Sequence, residues 1–413
     1  MAITRRDFIK TGIALVPTMA LMPSVFRRAA AAAAFEQEAV GGKVRTLIIV
    51  QMAGGNDPLN TLVPYADNRY YDLRSNLSIA DTDVLPLDAD VGFHPALANL
   101  KNVWDEGRLA VIEGVGYEAP SFSHFSSMDI WQSADPDGSL TDGWLGRYFE
   151  ELDASQDVLQ GLAVGRRLPL EVFSEQVPVP IVESVAGYQL QGDRRYPEAG
   201  DARAQALLDL YAAPRQAPYS VLLDNTIQAM HSSSVTLQEV EQAYTSRVEY
   251  PETPLAQSLR LLAQAVTSDV GLQVGHVTIG GWDTHANQLA DQQTLLETVD
   301  QAVYAFYQDI KDHGKEQDVV IMTWSEFGRR ARSNASNGTD HGAAGLMFAL
   351  GAPVTGGLYG ARPDLGNLAD DNLRYTTDFR SVYATVLERW LGAPAEAILG
   401  KGRFQQLGFL PAA

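Results

Sequence analysis

Short runs of consecutive apolar residues alternate along the chain with longer stretches in which apolar residues recur every three or four positions. The first run, at 44–52, has few polar residues, which is typical of a parallel strand buried on both faces. Further apolar runs predict strands at 109–115, 274–279, 319–324 and 346–350. The periodic stretches predict helices at 95–106, 254–268, 288–311 and 378–391. This alternation predicts an α/β fold with a doubly wound, mostly parallel sheet and helices on both faces.

The part of the chain from residue 43 to residue 411 contains no internal repeat and no sharp change in composition. We therefore expect one large domain over 43–411, since large α/β folds often exceed the usual domain length. A section near 201–269 has mainly helical patterns. It predicts a helical insertion into the α/β fold.

The first 35 residues have the features of a bacterial export signal. An arginine pair, Arg5 and Arg6, precedes an apolar stretch at 12–26. This stretch is shorter than the ~20 residues that span a membrane, and the alanines after it suit cleavage near Ala34. The pattern predicts a signal peptide at 1–35 for the twin-arginine translocase, with an N-terminal anchor helix as the alternative. We expect the cleaved protein to be periplasmic or secreted, with no stable membrane span.

The composition restricts the chemistry that is available. The 413 residues include no cysteine, which excludes disulfides, thiolate nucleophiles and cysteine-ligated zinc. A metal ion would need histidine, carboxylate, amide, hydroxyl or backbone ligands. The formal net charge of −20 argues against nucleic acid as a partner. The sequence also contains no phosphate-binding loop, dinucleotide fingerprint or lipase-type serine motif.

Polar clusters follow the predicted strands, at the edge where an open α/β sheet binds ligands. In the first cluster, GGND, Asp57 is a candidate ligand for a hard cation or an ordinary turn residue. In the second, PSFSHFSSMD, Ser121 or Ser123 either caps a helix or acts as a nucleophile at its start. His124 in the same segment is a candidate base, metal ligand or phosphate contact.

A third cluster, GGWDTH, contains Asp283 and His285. These residues are two positions apart, so an extended backbone places both side chains on one face. A histidine with a carboxylate is a common mixed set of ligands for zinc or another divalent metal. This spacing therefore predicts joint coordination of one ion.

The fourth cluster has two halves, WSEFGRR and TDHG, which are joined by a loop of small polar residues. Glu326, Asp340 and His341 are its candidate metal ligands. Arg329 and Arg330 are candidates to hold an anionic oxygen, with a surface ion pair as the alternative.

The ordered set GGND, SHF, GWDTH, SEFGRR and TDHG, after a twin-arginine leader, resembles the exported bacterial family called domain of unknown function 1501. The resemblance covers essentially the whole mature chain and implies an alkaline phosphatase/sulfatase-like fold. In one respect the chain departs from that superfamily, because Phe327 stands where a metal-binding histidine is common. The resemblance implies a nucleophile at Ser121 or Ser123 and metal ligands at Asp57, Asp283, His285, Glu326 and His341.

The leading hypothesis is a metal-dependent hydrolase that acts outside the cytoplasm on a small anionic ester or a sulfated or phosphorylated glycan. A divalent ion, which could be Zn, Mg, Mn or Ca, would activate a serine hydroxyl or a water molecule. The helix start near His124, together with Arg329, would offset developing negative charge. The main alternative is an exported non-catalytic binding or assembly protein that retains the fold. A metal-dependent isomerase or transferase is a third hypothesis.

Overall fold

A computed structural model describes residues 44–152, 159–188, 200–212, 220–400, 402 and 404–411. Residues from Val44 to Ala413 form one compact unit. The predicted export signal at 1–35 lies outside the described residues. No helix among the described residues is long and apolar enough to cross a membrane.

The strands that the described residues form fall into one large and two small sheets. They are β1 (Thr46–Met52), β2 (Leu62–Val63), β3 (Leu85–Pro86), β4 (Gly92–Phe93), β5 (Leu109–Gly116), β6 (Gly161–Val164), β7 (Ile181–Val182), β8 (Val274–Ile279), β9 (Val319–Trp324), β10 (Gly328–Arg329), β11 (His341–Gly342), β12 (Gly345–Leu350), β13 (Gly357–Tyr359) and β14 (Thr377–Asp378). The large sheet has nine strands in the order β13-β5-β12-β9-β1-β8-β6-β7, and β14 also pairs with β5. The pair β10-β11 and the triplet β2-β4-β3 form the small sheets.

Helices connect most of the large sheet. The α-helices are α1 (Pro58–Thr61), α2 (Asn68–Leu73), α3 (Ala98–Asp105), α4 (His124–Ser133), α5 (Trp144–Glu151), α6 (Gly200–Ala212), α7 (Ser220–Ala243), α8 (Pro254–Thr267), α9 (Gln288–Asp312), α10 (Phe379–Val386) and α11 (Ala395–Leu399). A π-helical turn (Leu387–Leu391) extends α10, and short 3-10 turns lie at Leu170–Val172 and Val185–Gly187. The helices that the sequence predicted at 254–268 and 288–311 are present as α8 and α9.

Alternate residues of β1 belong to two different hydrophobic cores. Ile48 and Val50 pack in the core that contains residues of α8 and α9. Leu47 and Ile49 pack in the core that contains residues of α5 and α10. All residues of β1 are buried, as expected for a central strand that is covered on both faces. The predicted α/β class, with helices on both faces of the sheet, is therefore confirmed.

Strand β12 runs against its neighbours, whereas the other strand pairs of the large sheet are parallel. A parallel connection needs a crossover, usually a helix, that carries the chain back to the other edge. The segment between β9 and β12 contains only β10 and β11, so the chain stays at the edge where β9 ends. The loops after β1, β5 and β8 reach this same edge, because β1, β5, β8 and β9 all run in one direction.

His94, a buried histidine away from the polar clusters, should make the stability of the fold depend on pH. Nδ1 of His94 accepts a hydrogen bond from the backbone N–H of Ala96 (3.1 Å), and burial lowers the pKa of His94 to about 4. As the pH falls, the imidazole of His94 is therefore protonated in the unfolded chain before it is protonated in the folded chain. Its contribution to the free energy of unfolding is complete above the unfolded pKa of about 6.5 and is lost as the pH falls. When the pH is lowered from about 8 to about 5, protonation of His94 in the unfolded chain should reduce the free energy of unfolding by roughly 2 kcal/mol.

Urea unfolding at the two pH values measures this loss. The matched variant is His94→Asn, whose Oδ1 can still accept the Ala96 hydrogen bond but cannot titrate. We expect the variant to be less stable at neutral pH and to depend less steeply on pH than the native chain. An equally steep dependence in both proteins would show that His94 is not the group responsible.

Candidate metal centre

Three side chains from three different loops meet at the polar edge of the sheet. His124 begins α4, Asp283 follows β8, and His341 begins β11. Each offers a ligand atom, and these atoms lie within 4.8 Å of one another. One oxygen of Asp283 is 3.0 Å from Nε2 of His341, and the other is 3.4 Å from Nε2 of His124. Among the described residues, this is the one such group that could hold a metal ion.

His285 extends the cluster on one side. Its Nε2 lies 3.0 Å from Oδ1 of Asp283 and 3.0 Å from Nε2 of His341. The two residues of the GWDTH motif therefore face the same centre. The centre presents three imidazole Nε2 atoms around one carboxylate.

The outer nitrogen of each imidazole is held by an oxygen that can only accept. Nδ1 of His124 lies 2.8 Å from Oε1 of Glu326, and Nδ1 of His341 lies 2.7 Å from the backbone carbonyl of Phe122. Nδ1 of His285 lies 3.3 Å from Oδ1 of Asp340. Each Nδ1 must therefore carry a hydrogen, so in the neutral rings each Nε2 presents a lone pair to the centre.

This arrangement of lone pairs fits a bound cation. Without positive charge, the Nε2 atoms of His285 and His341 would face each other at 3.0 Å and would also face the Asp283 carboxylate. Histidine ligands of metals usually donate their other N–H to a carboxylate or a backbone carbonyl, which fixes the orientation of the ring. All three histidines here have such a partner. The chemistry of the donor set therefore fits a divalent metal.

A buried arginine, Arg329, joins the loops that carry this centre. Its guanidinium donates to the carbonyls of Gly55 (2.7 Å), Thr339 (3.0 Å) and Trp282 (2.8 Å), and also to that of Gly54. It also donates to the carboxylate of Asp283 (2.9 Å). Arg329 thus fixes the position of Asp283 relative to the loops after β1 and β9.

The electrostatics of Asp283 follow from these contacts. Burial by itself would raise the pKa of the Asp283 carboxyl. The hydrogen bond from Arg329 and the charge of its guanidinium act in the opposite direction, and the pKa of this carboxyl stays well below its ordinary value. Asp283 therefore remains a carboxylate at any physiological pH, as a metal ligand must.

The domain as a whole matches one protein family. Residues 44–401 match the family described as "Protein of unknown function (DUF1501)". The chain belongs to this family. The ordered set of motifs had predicted this membership from the sequence. None of the curated proteins compared with this DUF1501 protein matches its sequence.

Several solved structures resemble this DUF1501 protein at low identity. One is the PsFucS1 sulfatase from Pseudoalteromonas sp., with 11% identity, coverage of 91% of this chain and 72% of that chain, and a TM-score of 0.39. Another is the C-terminal periplasmic domain of EcEptC from Escherichia coli in complex with Zn, with 12% identity, coverage of 75% and 73%, and a TM-score of 0.34. A third is alkaline phosphatase from the Antarctic bacterium TAB5, with 9% identity, coverage of 77% and 95%, and a TM-score of 0.33. At these scores, function has to be argued from the side chains of the site.

Glu326 lies behind the centre of this DUF1501 protein rather than in it. Its carboxylate is almost completely buried, and it accepts from the backbone N–H of Gly54 (2.9 Å) as well as from His124. It is not one of the groups within the 4.8 Å cluster. The sequence predicted a metal ligand at Glu326, whereas in the structure this carboxylate binds Nδ1 of His124 and orients its ring.

Asp57 also differs from its prediction as a metal ligand. Its buried carboxylate forms an ion pair with the fully buried Arg74, caps α1 through the N–H of Leu59 (3.1 Å), and accepts from Gln288. Withdrawing it to bind a metal would leave the Arg74 guanidinium buried without a counter-ion, which is strongly unfavourable. The structure therefore corrects this prediction to a structural role beneath the site.

Arg329 requires a similar correction. The sequence made it a candidate to hold a substrate oxygen, but its side chain is fully buried and its nitrogens already contact protein oxygens. It can act on the chemistry only by positioning Asp283. The neighbouring Phe327 is buried as well and stacks on His341, with ring centroids 4.4 Å apart. This apolar ring offers no ligand atom on its side of His341.

Ser121 and Ser123, the two candidate nucleophiles, lie just before α4. Ser121 Oγ accepts from the backbone N–H of Ser123 (3.3 Å), and its own N–H donates to the Tyr117 hydroxyl (2.8 Å). Ser123 is the N-cap residue of α4, is exposed, and makes no capping hydrogen bond with its side chain. Its hydroxyl is therefore free to react, and the residue directly precedes His124.

Besides Glu326, two groups that hold the centre in place were not assigned this role from the sequence. Asp340 was grouped with the candidate ligands, but it lies on the outer nitrogen of His285. Its position next to His341 in TDHG was the available signal. The carbonyl of Phe122, which holds His341, is a backbone atom and leaves no signal in the sequence.

Proposed function

We propose that this protein is an exported, metal-dependent hydrolase of an anionic ester, either a phosphate or a sulfate. Its single divalent ion would be held by His124, Asp283 and His341, with His285 beside them. The observation that carries the proposal is the convergence of three Nε2 lone pairs on one carboxylate, with every Nδ1 committed to an oxygen. The twin-arginine motif around Arg5 and Arg6 supports export by the twin-arginine translocase to the periplasm or the outside.

The donor set favours one class of metal. Imidazole nitrogen suits zinc and other transition metals, whereas Mg²⁺ and Ca²⁺ prefer sites made of oxygen ligands. Of the four metals that the sequence left open, zinc and manganese therefore fit better than magnesium and calcium. When bound, such an ion supplies a Lewis acid that polarises an ester oxygen and lowers the pKa of a neighbouring hydroxyl.

The residues around the ion supply the remaining chemistry. The first backbone N–H groups of α4 have no partner within the helix and can stabilise negative charge at its start. Ser123 stands at this start with a free hydroxyl. Its Oγ would form a bond to phosphorus or sulfur while the ester oxygen departs, and the serine proton would end on the departing alcohol. Water would then release the phosphate or sulfate and restore the serine.

The test of the proposed function combines metal content with turnover. Protein purified from its natural export route should contain about one equivalent of metal per chain and should hydrolyse members of a panel of phosphate and sulfate esters. Removal of the metal with a chelator should abolish this turnover, and zinc or manganese should restore it. A metal-loaded protein that hydrolyses no ester in the panel would refute the hydrolase proposal.

Phe327 favours a second candidate function, an exported binding or assembly protein that retains the fold. Its ring stacks on His341 and cannot bind a metal ion, and a single ion is fewer than the two that many phosphate-ester hydrolases use. In that case, the protein would bind metal stoichiometrically without turnover and would form a stable complex with a glycan or with another exported protein.

Ser123→Ala tests the assignment of the nucleophile. The variant should lose at least about 100-fold in kcat and keep its full metal content, because the hydroxyl reacts but does not shape the centre. Ser126→Ala, an exposed serine in the first turn of the same helix, is the matched control and should retain native turnover. Native kcat in Ser123→Ala would mean that water, rather than this serine, attacks the ester.

A further inference from the structure

Two exposed phenylalanines flank His124 of the candidate metal centre. Phe125 is 86% exposed and Phe122 is 40% exposed, and both are among the few large apolar side chains that the described residues leave at the surface. Neither ring belongs to any of the hydrophobic core clusters of the described residues. We call this pair the aromatic lip. Folding alone does not account for it, because an exposed phenyl ring contributes nothing to the core.

The backbone that carries the aromatic lip is held firmly in place. The carbonyl of Phe122 accepts from His341 (2.7 Å), and the N–H of Ser121 donates to Tyr117 (2.8 Å). On the helical side, the hydroxyl of Ser127 donates to the carbonyl of Glu326 (2.5 Å). The segment from 121 to 127 is thus fixed to Tyr117, to His341 of the metal centre and to Glu326 behind it. The backbone of both phenylalanines is therefore held next to the centre rather than on a free loop.

The location of the lip determines what it can contact. Consecutive Cα atoms are about 3.8 Å apart, so Phe125 starts within one residue of His124 and Phe122 within two. An ester whose anionic end lies at the centre can extend its organic group along this segment. Two exposed phenyl rings offer that group a flat apolar surface, which suits the face of an aromatic or sugar ring more than a short alkyl chain.

We propose that Phe122 and Phe125 bind a ring in the organic part of the ester and so select ring-bearing substrates. This inference rests on the proposed function for the anionic end of the substrate, but the ring contact itself does not depend on turnover. A phenyl ring and a sugar ring share the required flat apolar face, and separate probes can tell them apart.

The experiment measures binding to zinc-loaded full-length protein with probes that cannot be hydrolysed. Methylphosphonate carries the anion without a ring, phenylphosphonate adds an aromatic ring, and the methylene phosphonate analogue of glucose 6-phosphate adds a sugar ring. We expect at least one ring-bearing probe to bind about tenfold more tightly than methylphosphonate in calorimetric titrations. Whichever ring probe shows the preference identifies the class of substrate.

The double variant Phe122→Ala/Phe125→Ala should abolish the preference while changing methylphosphonate affinity by less than about twofold. Phe125→Leu should keep part of the preference, since leucine retains apolar area without a flat face. Val235→Ala, which shortens an exposed apolar side chain on α7, is the control and should retain the full preference. Thermal unfolding of each variant confirms that it is folded.

Each remaining outcome decides against a different part of the proposal. If methylphosphonate binds and neither ring adds affinity, the aromatic lip has no role in selection but the anion site stands. If a ring probe binds through the two phenylalanines and methylphosphonate does not bind, the lip stands and the anion site fails. If no probe binds, both fail. Absence of any ring preference, together with binding to phosphatidylglycerol vesicles that the double variant loses, would show that the lip contacts membranes instead.

Discussion

Replacement of Asp283 by asparagine is expected to release the metal and abolish ester hydrolysis. The carboxylate is the only anion that the three inward-facing Nε2 atoms share in the described part of the site, with oxygens 3.0 Å from His341 and His285 and 3.4 Å from His124. Asparagine keeps the size of the side chain but removes its charge. A structural zinc site contributes about 10–16 kcal/mol, so the loss of its one carboxylate ligand should weaken binding about 100-fold or more.

Competition with a chelator of known affinity measures this loss, and ester turnover measured in the same samples should fall in parallel. Asp340→Asn provides a graded comparison, because Asp340 orients His285 without being a ligand, and a 10–100-fold loss of affinity is expected there. Asp129→Asn changes an exposed carboxylate on the same helix as His124 and should leave affinity unchanged. Native metal affinity in Asp283→Asn would place the ion elsewhere.

The sequence predicted the framework of the fold well because the central strands are buried on both faces. β1, β5, β8 and β9 are mainly apolar runs, and such runs are a signal of burial. β6 has only four residues, too few to stand out from a loop. The reversed direction of β12 depends on where the chain turns after β9, which apolar pattern alone does not encode.

Asp283 and His285 could be selected from the sequence because they share one motif in the loop after β8, and the structure brings them together with His341. The sequence could not distinguish Asp57 from Asp283, since both are carboxylates that follow a strand and a pair of glycines. The two carboxylates differ in their partners. Asp57 forms an ion pair with the buried guanidinium of Arg74 at the end of α2, whereas Asp283 contacts three imidazoles. These partners come together only through the packing of distant segments, and no local pattern reports them.

Replacement of Arg329 by lysine is expected to separate positioning of the metal site from simple stability. Lysine keeps the positive charge but offers one nitrogen in place of the planar fork that reaches Gly55, Thr339 and Asp283. Buried carbonyls would lose their donors, so the free energy of unfolding should fall by roughly 3–5 kcal/mol. Asp283 would also lose the contact that holds it toward the histidines, so metal affinity should fall about 10–100-fold.

Arg74→Lys is the matched control, because Arg74 is another fully buried arginine whose fork holds Asp57 and the carbonyl of Ala331. It should lower stability by a similar amount, since it also leaves buried acceptors without donors. Its contacts do not include Asp283, however, so metal affinity measured at a temperature where both variants are folded should stay native. If both variants lost metal equally, Arg329 would be only a structural residue; a loss confined to Arg329→Lys would identify it as the residue that sets the position of Asp283.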